Sequence, residues 1–461
     1  MTILPVEVPD GLFQGAVVTN DQPGYDQARA VWNGLIDRHP RAIIRCAGPD
    51  DVRAGAQFAH EHDLPIAVRG GGHSVAGHGT VDDGIVLDLQ DLDAVDPESG
   101  GHTVRAGGGA TWGAVDAITQ RDERAVPGGV FSRTGIAGLT LGGGYGWIRN
   151  SFGLSARSLR DAELVTADGR ILASVADEDP DLLWALRGGG GGNFGVVTAF
   201  TFDTHPVPAR GYFLFVVHDA ESGRAAAGLR LFRDFCAVAP PSVSMLAFLG
   251  RVPAGAEGYE PDAVGRQFIG FGGLFLGDAD EGRELLRPLH EFGTPLLDVT
   301  GDMAYTDVQK VFDEDYPDGA RYYWKSTNVR ALTDEAIATL AAAAIAAPSE
   351  LSTIDIWHTM GAAAEPFDGA FLPSPAPYLV NPEANWIAPE DDAANIGWAR
   401  GLVAALAPLS DGSRYLNFAG FNEDGDAEMS ASFRRNLTRL EEVKRRWDPE
   451  NLFRLNQNVK P

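Results

Sequence analysis

The sequence predicts an α+β protein of two domains, and three observations predict it. At 461 residues the chain is too long for one ordinary core. Its first ~205 residues alternate short apolar strand patterns with helical ones, as βαβ units do. After THPVPARG (204–211) the glycine runs stop. Longer strand patterns and amphipathic helices then alternate to about residue 410, which predicts a mostly antiparallel sheet with helices covering one face.

Taken in order, RAIIRCA (41–47) reads as a strand, Pro49 opens a helix through DDVRAGAQFAHEHD, and PIAVRG (65–70) returns as a strand. GIVLDLQDL and HTVRAGGG are further strands, with ATWGAVDAITQR a helix between later loops. ELVTADGRILA (163–173) is a hairpin turning at Asp168-Gly169. DPDLLWALRG is a short helix and FGVVTAFTF (194–202) a strand. In the second part, YFLFVVH, QFIGFGGLFLG, YYWKSTNVRAL and LSTIDIWHTMG read as strands, and ADEGRELLRPLHEF and TDEAIATLAAAAIAA as helices. From Arg414 the chain runs through YLNFAGF into one charged helix, SASFRRNLTRLEEVKRRW, and the tail DPENLFRLNQNVKP.

Composition excludes several functions. With 64 acidic against 37 basic residues the formal charge is −27, and the lysines are Lys310, Lys325, Lys444 and Lys460. Such a surface repels phosphates, so neither nucleic acid nor an anionic membrane is an expected partner. It suits a high-salt cytoplasm, and it would equally follow from a GC-rich genome. No run of about 18 apolar residues is present, and MTILPVEVPDGLF lacks the pattern of a leader peptide. Two cysteines, Cys46 and Cys236, cannot make a disulfide framework. A cytoplasmic enzyme is expected. No metal site is predicted: His60 and His62 do not share a helix face, and DEDPD (177–181) and NEDGD (422–426) lack the spacing of a calcium loop.

The informative segments are four glycine-rich stretches in the first part: GGGHSVAGHG (70–79), AGGGATWG (106–113), TGIAGLTLGGGYGW (134–147) and RGGGGGNFG (187–195). Glycine permits positive φ and close backbone approach, and successive N–H groups can cradle an anion. Four such loops imply a long ligand with a diphosphate. GGGNFG (190–195) formally matches GxGxxG, but it follows a helix and opens a strand, the reverse of a Rossmann site. No Walker A sequence is present.

At VRGGGH, with His73 following the glycines at the end of a βαβ unit, the sequence resembles the berberine-bridge-enzyme-like group of the vanillyl-alcohol oxidase superfamily, with its PCMH-type FAD-binding domain. GIAGLTLGGGYGW, DLLWALRGGGGGNFGVVT and DPENLFRLNQN extend the resemblance, whereas the middle of the chain matches loosely, through DIWHTMGAA. The resemblance implies a discontinuous FAD-binding domain, 1–206 and 411–461, and a substrate-binding domain, 207–410, with the site between them. It implies FAD held by Arg69, Gly70, Gly71, Gly72, Ser74, Gly77 and His78, with His73 bonded to the flavin 8α carbon. Thr134, Gly135, Gly138, Leu141, Gly142, Gly143, Gly144 and Gly146 belong to the second cradle. Asn193, Gly195 and Val197 belong to the third, and Asn456 and Asn458 to the returning tail. Many relatives carry a second flavin bond, through a cysteine where this chain has Phe131, so a single bond is expected. The run of glycines at 188–192 is one longer than is usual in the family.

The activity implied is removal of hydride from an alcohol, hemiacetal or amine carbon, with electrons passing to O₂ as hydrogen peroxide. The base is Tyr415, in a Tyr-x-Asn motif, or Tyr145; Glu365, Tyr378 and His358 are weaker candidates. Ile136 stands where the family tunes oxygen access. A dehydrogenase with another acceptor, and a flavin-loaded protein that merely sequesters a metabolite, are the alternatives.

Overall fold

The computed structural model describes Val8, Pro9 and residues 11–423 and 425–461. Most of the amino-terminal stretch read against a leader, and residue 424 of the acidic turn, lie outside them. Among the described residues the structure is mixed helix and sheet, built on three large sheets and a two-stranded ribbon of Arg124–Ala125 and His205–Pro206.

The first sheet orders its strands Val17–Thr19, Ala42–Arg45, Ile85–Asp88 and Ile66–Arg69. The first pair is antiparallel and the rest parallel. Helix Pro49–Glu61 makes the crossover, with Pro49 at its first turn, where a missing N–H costs nothing. Buried Asp51 on that helix accepts from the backbone N–H groups of Gln14, Gly15 and Ala47, pinning the incoming chain.

A five-stranded antiparallel sheet follows: Val95–Glu98, Thr103–Gly107, Val196–Asp203, Leu159–Val165 and Ile171–Leu172. Its inner face packs Trp112, Phe200 and Phe202 against helix Pro180–Leu186. Leu440, Val443 and Trp447 of the carboxy-terminal helix join the same core. Fully buried Lys444 fastens that helix: its ammonium donates to Asp448 at 2.7 Å and to the carbonyls of Asn193 and Phe453 at 2.7 and 2.8 Å. The single charged helix expected at 430–447 is instead two, Asp426–Phe433 and Leu437–Trp447, because Arg434 between them takes a left-handed φ of 48°. YYWKSTNVRAL likewise divides into strands Arg321–Trp324 and Thr327–Val329.

The third sheet has nine antiparallel strands, centred on Arg210–Asp219, Gln267–Phe275, Val243–Arg251, Thr353–His358 and Tyr378–Trp386. Alternation along a strand divides its two faces. Leu214, Val216, Ile354, Ile356 and Val380 face helices such as Arg224–Cys236 and Asp334–Ile345. Phe213, Phe215, Phe248, Trp357 and Leu379 face the glycine-rich half of the chain, where they meet Tyr145, Trp147 and Tyr415. Across this junction lies Arg149, fully buried, donating to the carbonyls of Gly146, Met245 and His358. Burial pushes its guanidinium down to about 9. Cys46 and Cys236 are buried and unpaired, and burial pushes both thiols above their usual range.

Candidate active site

The parallel strand Ile66–Arg69 ends at a buried ion pair, Arg69 to Asp88 at 2.8 Å, which fixes where the glycines begin. Gly70–Gly72 then run against the Thr134–Gly135 segment backbone to backbone. A Cβ on Gly71 would lie 2.6 Å from the nitrogen and Cα of Gly135, and Gly72 takes a φ of 73°. These two glycine loops form one wall of a cavity of about 280 Å³; Gly190–Gly192, Gly195 and Asn456 add to it, and the third sheet closes the far side.

The donor set fits the flavin dinucleotide that the glycines imply. Side chains are absent where backbone must approach a ligand closely, and Asn456 on the wall keeps a buried Oδ1 with no partner among the described residues. His73 lines the cavity beside Trp32, with ring centroids 5.3 Å apart and planes inclined by 22°. Phe131 meets the imidazole edge-on at 5.3 Å. Burial pushes the imidazole down to about 4, so it is neutral and keeps a nucleophilic nitrogen.

On the same cavity stands Tyr415. Its phenol oxygen accepts from the N–H of Gly144 at 3.0 Å, from that of Tyr145 at 3.3 Å and from Asn417 Nδ2 at 2.9 Å. Burial pushes the hydroxyl up to about 12, while these three donors act in the opposite direction. They are placed to hold the oxygen as it gives up its proton. The Tyr145 ring packs edge-on against Tyr415 at 4.8 Å.

The wall also carries Arg69, Ser74, His78, Thr134, Gly138, Leu141, Gly142 and Val197. Six expected contacts stand behind it instead. Gly77 abuts Ile36, Gly143 abuts Phe371, and Gly146 abuts Gly128, each too close to its neighbour for a Cβ. Gly144 turns its N–H to Tyr415 rather than to the cavity. Asn193 is spent within the protein, donating to the carbonyls of Gly189 and Gln457 and accepting from Val459. Asn458 stands off the wall, its Oδ1 buried and without a partner in the chain. Ile136 is likewise sealed in the core with Trp112 and does not line the cavity.

The weaker base candidates lie elsewhere. Glu365 is exposed and pairs with Arg157 at 3.6 Å. Tyr378 and His358 sit together on the helix side of the sheet, rings 5.6 Å apart. His60 faces Glu450, and His62 packs on Phe58. Among the described residues no group of His, Cys, Asp and Glu could hold a metal ion, and no helix is long and apolar enough to cross a membrane.

Sequence reasoning missed the far wall: Trp32, Tyr316, Trp324, Asp355, Trp357 and Glu383. One signal was present. In TIDIW, Ile354 and Ile356 alternate with Asp355 and Trp357, which puts an acid and an aromatic together on the face away from the helices.

Glycine cradle, neutral histidine and supported tyrosine around one cavity define the class, a flavin-dependent oxidoreductase. The chain matches the family model "FAD binding domain" over residues 40–174 and the model "Berberine and berberine like" over 414–460. The two matches fall at opposite ends of the chain, both within the glycine-rich, cofactor-lining half. The chain is 28% identical over 461 residues to an FAD-linked oxidoreductase of Bacillus subtilis, YgaK, covering 97% of each chain. It is 29% identical over 467 residues to (R)-6-hydroxynicotine oxidase of Paenarthrobacter nicotinovorans, again covering 97% of each. Among solved structures, 6-hydroxy-D-nicotine oxidase from Arthrobacter nicotinovorans superposes with a TM-score of 0.85 at 25% identity, over 99% of this chain and 100% of that one. Xylooligosaccharide oxidase from Myceliophthora thermophila, at 23% identity, shares the fold with a TM-score of 0.82 over 97% of each chain.

Proposed function

We propose that the chain is an oxidase holding FAD through one covalent bond, from His73 to the flavin 8α carbon, and acting on an alcohol, hemiacetal or amine carbon of a small molecule. Residues 1–206 and 411–461 would form the FAD-binding domain and 207–410 the substrate-binding one. FAD, when bound, accepts hydride from the substrate carbon and passes the electron pair to O₂, giving hydrogen peroxide.

The observation that carries the reading is Tyr415: a buried hydroxyl whose oxygen meets three N–H donors on the same cavity as His73. Those donors stabilise the phenolate as the proton of the substrate O–H or N–H moves to it, which is the support a general base needs. Gly70–Gly72 and Thr134–Gly135 would orient the diphosphate, and Phe131 leaves no second thiol to bond the flavin. The likeness to (R)-6-hydroxynicotine oxidase supports an oxidase acting on small molecules.

The test is acid precipitation of wild-type and His73→Ala protein, with the washed pellets read near 450 nm. Colour retained only by the wild type establishes the bond, and a colourless wild-type pellet overturns it. Peroxide release after substrate reduction in air then separates an oxidase from a dehydrogenase.

A further inference from the structure

Asp355 and Glu383 stand on adjacent strands, Thr353–His358 and Tyr378–Trp386. The register pairs Asp355 with Asn381 and Thr353 with Glu383, so the two carboxyls are diagonal neighbours on the face that also carries Trp357. Both line the cavity, at 6% and 3% exposure.

Among the described residues, neither has a cationic partner. Glu383 accepts from the Tyr316 hydroxyl at 2.6 Å and from Asn381 Nδ2 at 2.8 Å; Asp355 accepts from the Thr353 hydroxyl at 3.1 Å. The neighbouring positive charges are already engaged. Arg69 is bound to Asp88, and Arg149, 5.0 Å from the Trp357 ring, is held by three carbonyls. Asp315 adds a third acid near Asp355. Burial, and then mutual repulsion at Glu383, hold both carboxyls of the pair well above the usual carboxylate range. For want of a countercharge the pair holds on to its protons, and a bound cation would let it ionise.

The surroundings say what would. Tyr316, Trp324, Trp357 and Phe418 offer aromatic faces to the same space, and such faces attract a cation. The Trp357 indole N–H, buried on this wall, has no partner among the described residues and so can meet a ligand. An uncharged sugar brings no charge for the pair to answer, and an anion would oppose its ionisation.

Resting on the flavin reading above, we propose that Asp355 and Glu383 are the receptor for a protonated nitrogen, and that the substrate is a basic amine with an apolar or aromatic body rather than a saccharide. The carboxyl pair supplies the countercharge, and the aromatic walls supply the fit.

The test uses purified wild-type protein and two probes of one shape, 1,2,3,4-tetrahydroisoquinoline and its ether isostere isochroman, with xylobiose as the sugar arm. Binding is read by calorimetry near neutral pH. The amine should bind at least tenfold more tightly than the ether. Asp355→Asn and Glu383→Gln, neutral isosteres whose folding is checked by melting, should each shrink that preference, and the double variant should abolish it. Equal binding of amine and ether, tighter binding of xylobiose, or a preference that survives in the folded double variant would each overturn the assignment. Calorimetry reads the preference with or without flavin, whereas a colourless protein would sink the oxidase reading alone.

Discussion

The Trp32 ring that stacks on His73 at 5.3 Å also stacks on Tyr322, at 3.9 Å and 9°. Its indole N–H donates to the Tyr316 carbonyl at 3.0 Å, and its backbone N–H to the Gly72 carbonyl at 3.3 Å. One residue thus ties the histidine-bearing loop to the third sheet. Trp32→Ala should bind FAD yet lose most of the fraction that survives acid precipitation, because the imidazole is no longer held in one orientation. Trp32→Phe, which keeps a ring, should restore most of it. Pellet absorbance divided by total bound flavin is the readout, and an unchanged ratio in the alanine variant would remove Trp32 from this role.

Tyr415→Phe deletes the hydroxyl that meets Gly144, Tyr145 and Asn417 while keeping the ring against Tyr145 and Phe418. Flavin content should be unchanged, and kcat should fall by roughly 10²–10⁴, the usual worth of a positioned base. Stopped-flow reduction of the flavin under anaerobic conditions checks it. Wild-type reduction rates would show that the proton goes elsewhere.

Gly71→Ala places a methyl group 2.6 Å from the Gly135 backbone. The obstacle is main chain, so neither loop can yield without opening the cradle. The variant should purify with little or no flavin and melt at a lower temperature than wild type. Normal flavin content in that variant would mean the two loops separate easily.

Asp116 is a separate, stability-related case. It is fully buried against Gln309, whose Nε2 donates to it at 2.7 Å, and its other oxygen has no partner in the chain. Burial pushes its carboxyl up to about 7. The folded state therefore holds this proton more tightly than the unfolded chain. The associated stability is full below about pH 4 and is lost as pH rises through about 7. Asp116→Asn, which imitates the protonated acid, should match wild type below about pH 4 and exceed it at pH 8, by at most about 4 kcal/mol. Chemical denaturation at the two pH values measures the difference; a variant less stable than wild type at both would overturn the account.

What could be read from residues alone was whatever short-range physics dictates. Glycine runs announce close backbone approach, Asp168-Gly169 announces a hairpin, and Pro49 opens its helix. The second part's strands could also be read, because Phe213, Phe215 and Val217 alternate with Leu214 and Val216. Which face of that sheet meets the cofactor half depends on a junction between residues hundreds of positions apart. That is why Asp355, Glu383 and Trp32 went unread, and why Tyr378 and His358 were weighed as site residues although they face helices. Gly143, Gly144 and Gly146 lie in a glycine-rich stretch as persuasive as 70–72, yet they serve internal packing. Composition does not distinguish a backbone approached by a ligand from one approached by a neighbouring side chain.

As the oxidase proposed above, the protein would be the first exposed to the hydrogen peroxide it makes, and thiolates are what peroxide attacks most readily. Cys46 and Cys236 are buried and held as thiols by that burial. Where the resemblance would place a flavin-bonding cysteine, the residue is Phe131. A catalyst of this composition should therefore keep working in its own product, losing little activity over turnovers that would inactivate a protein with one exposed thiolate.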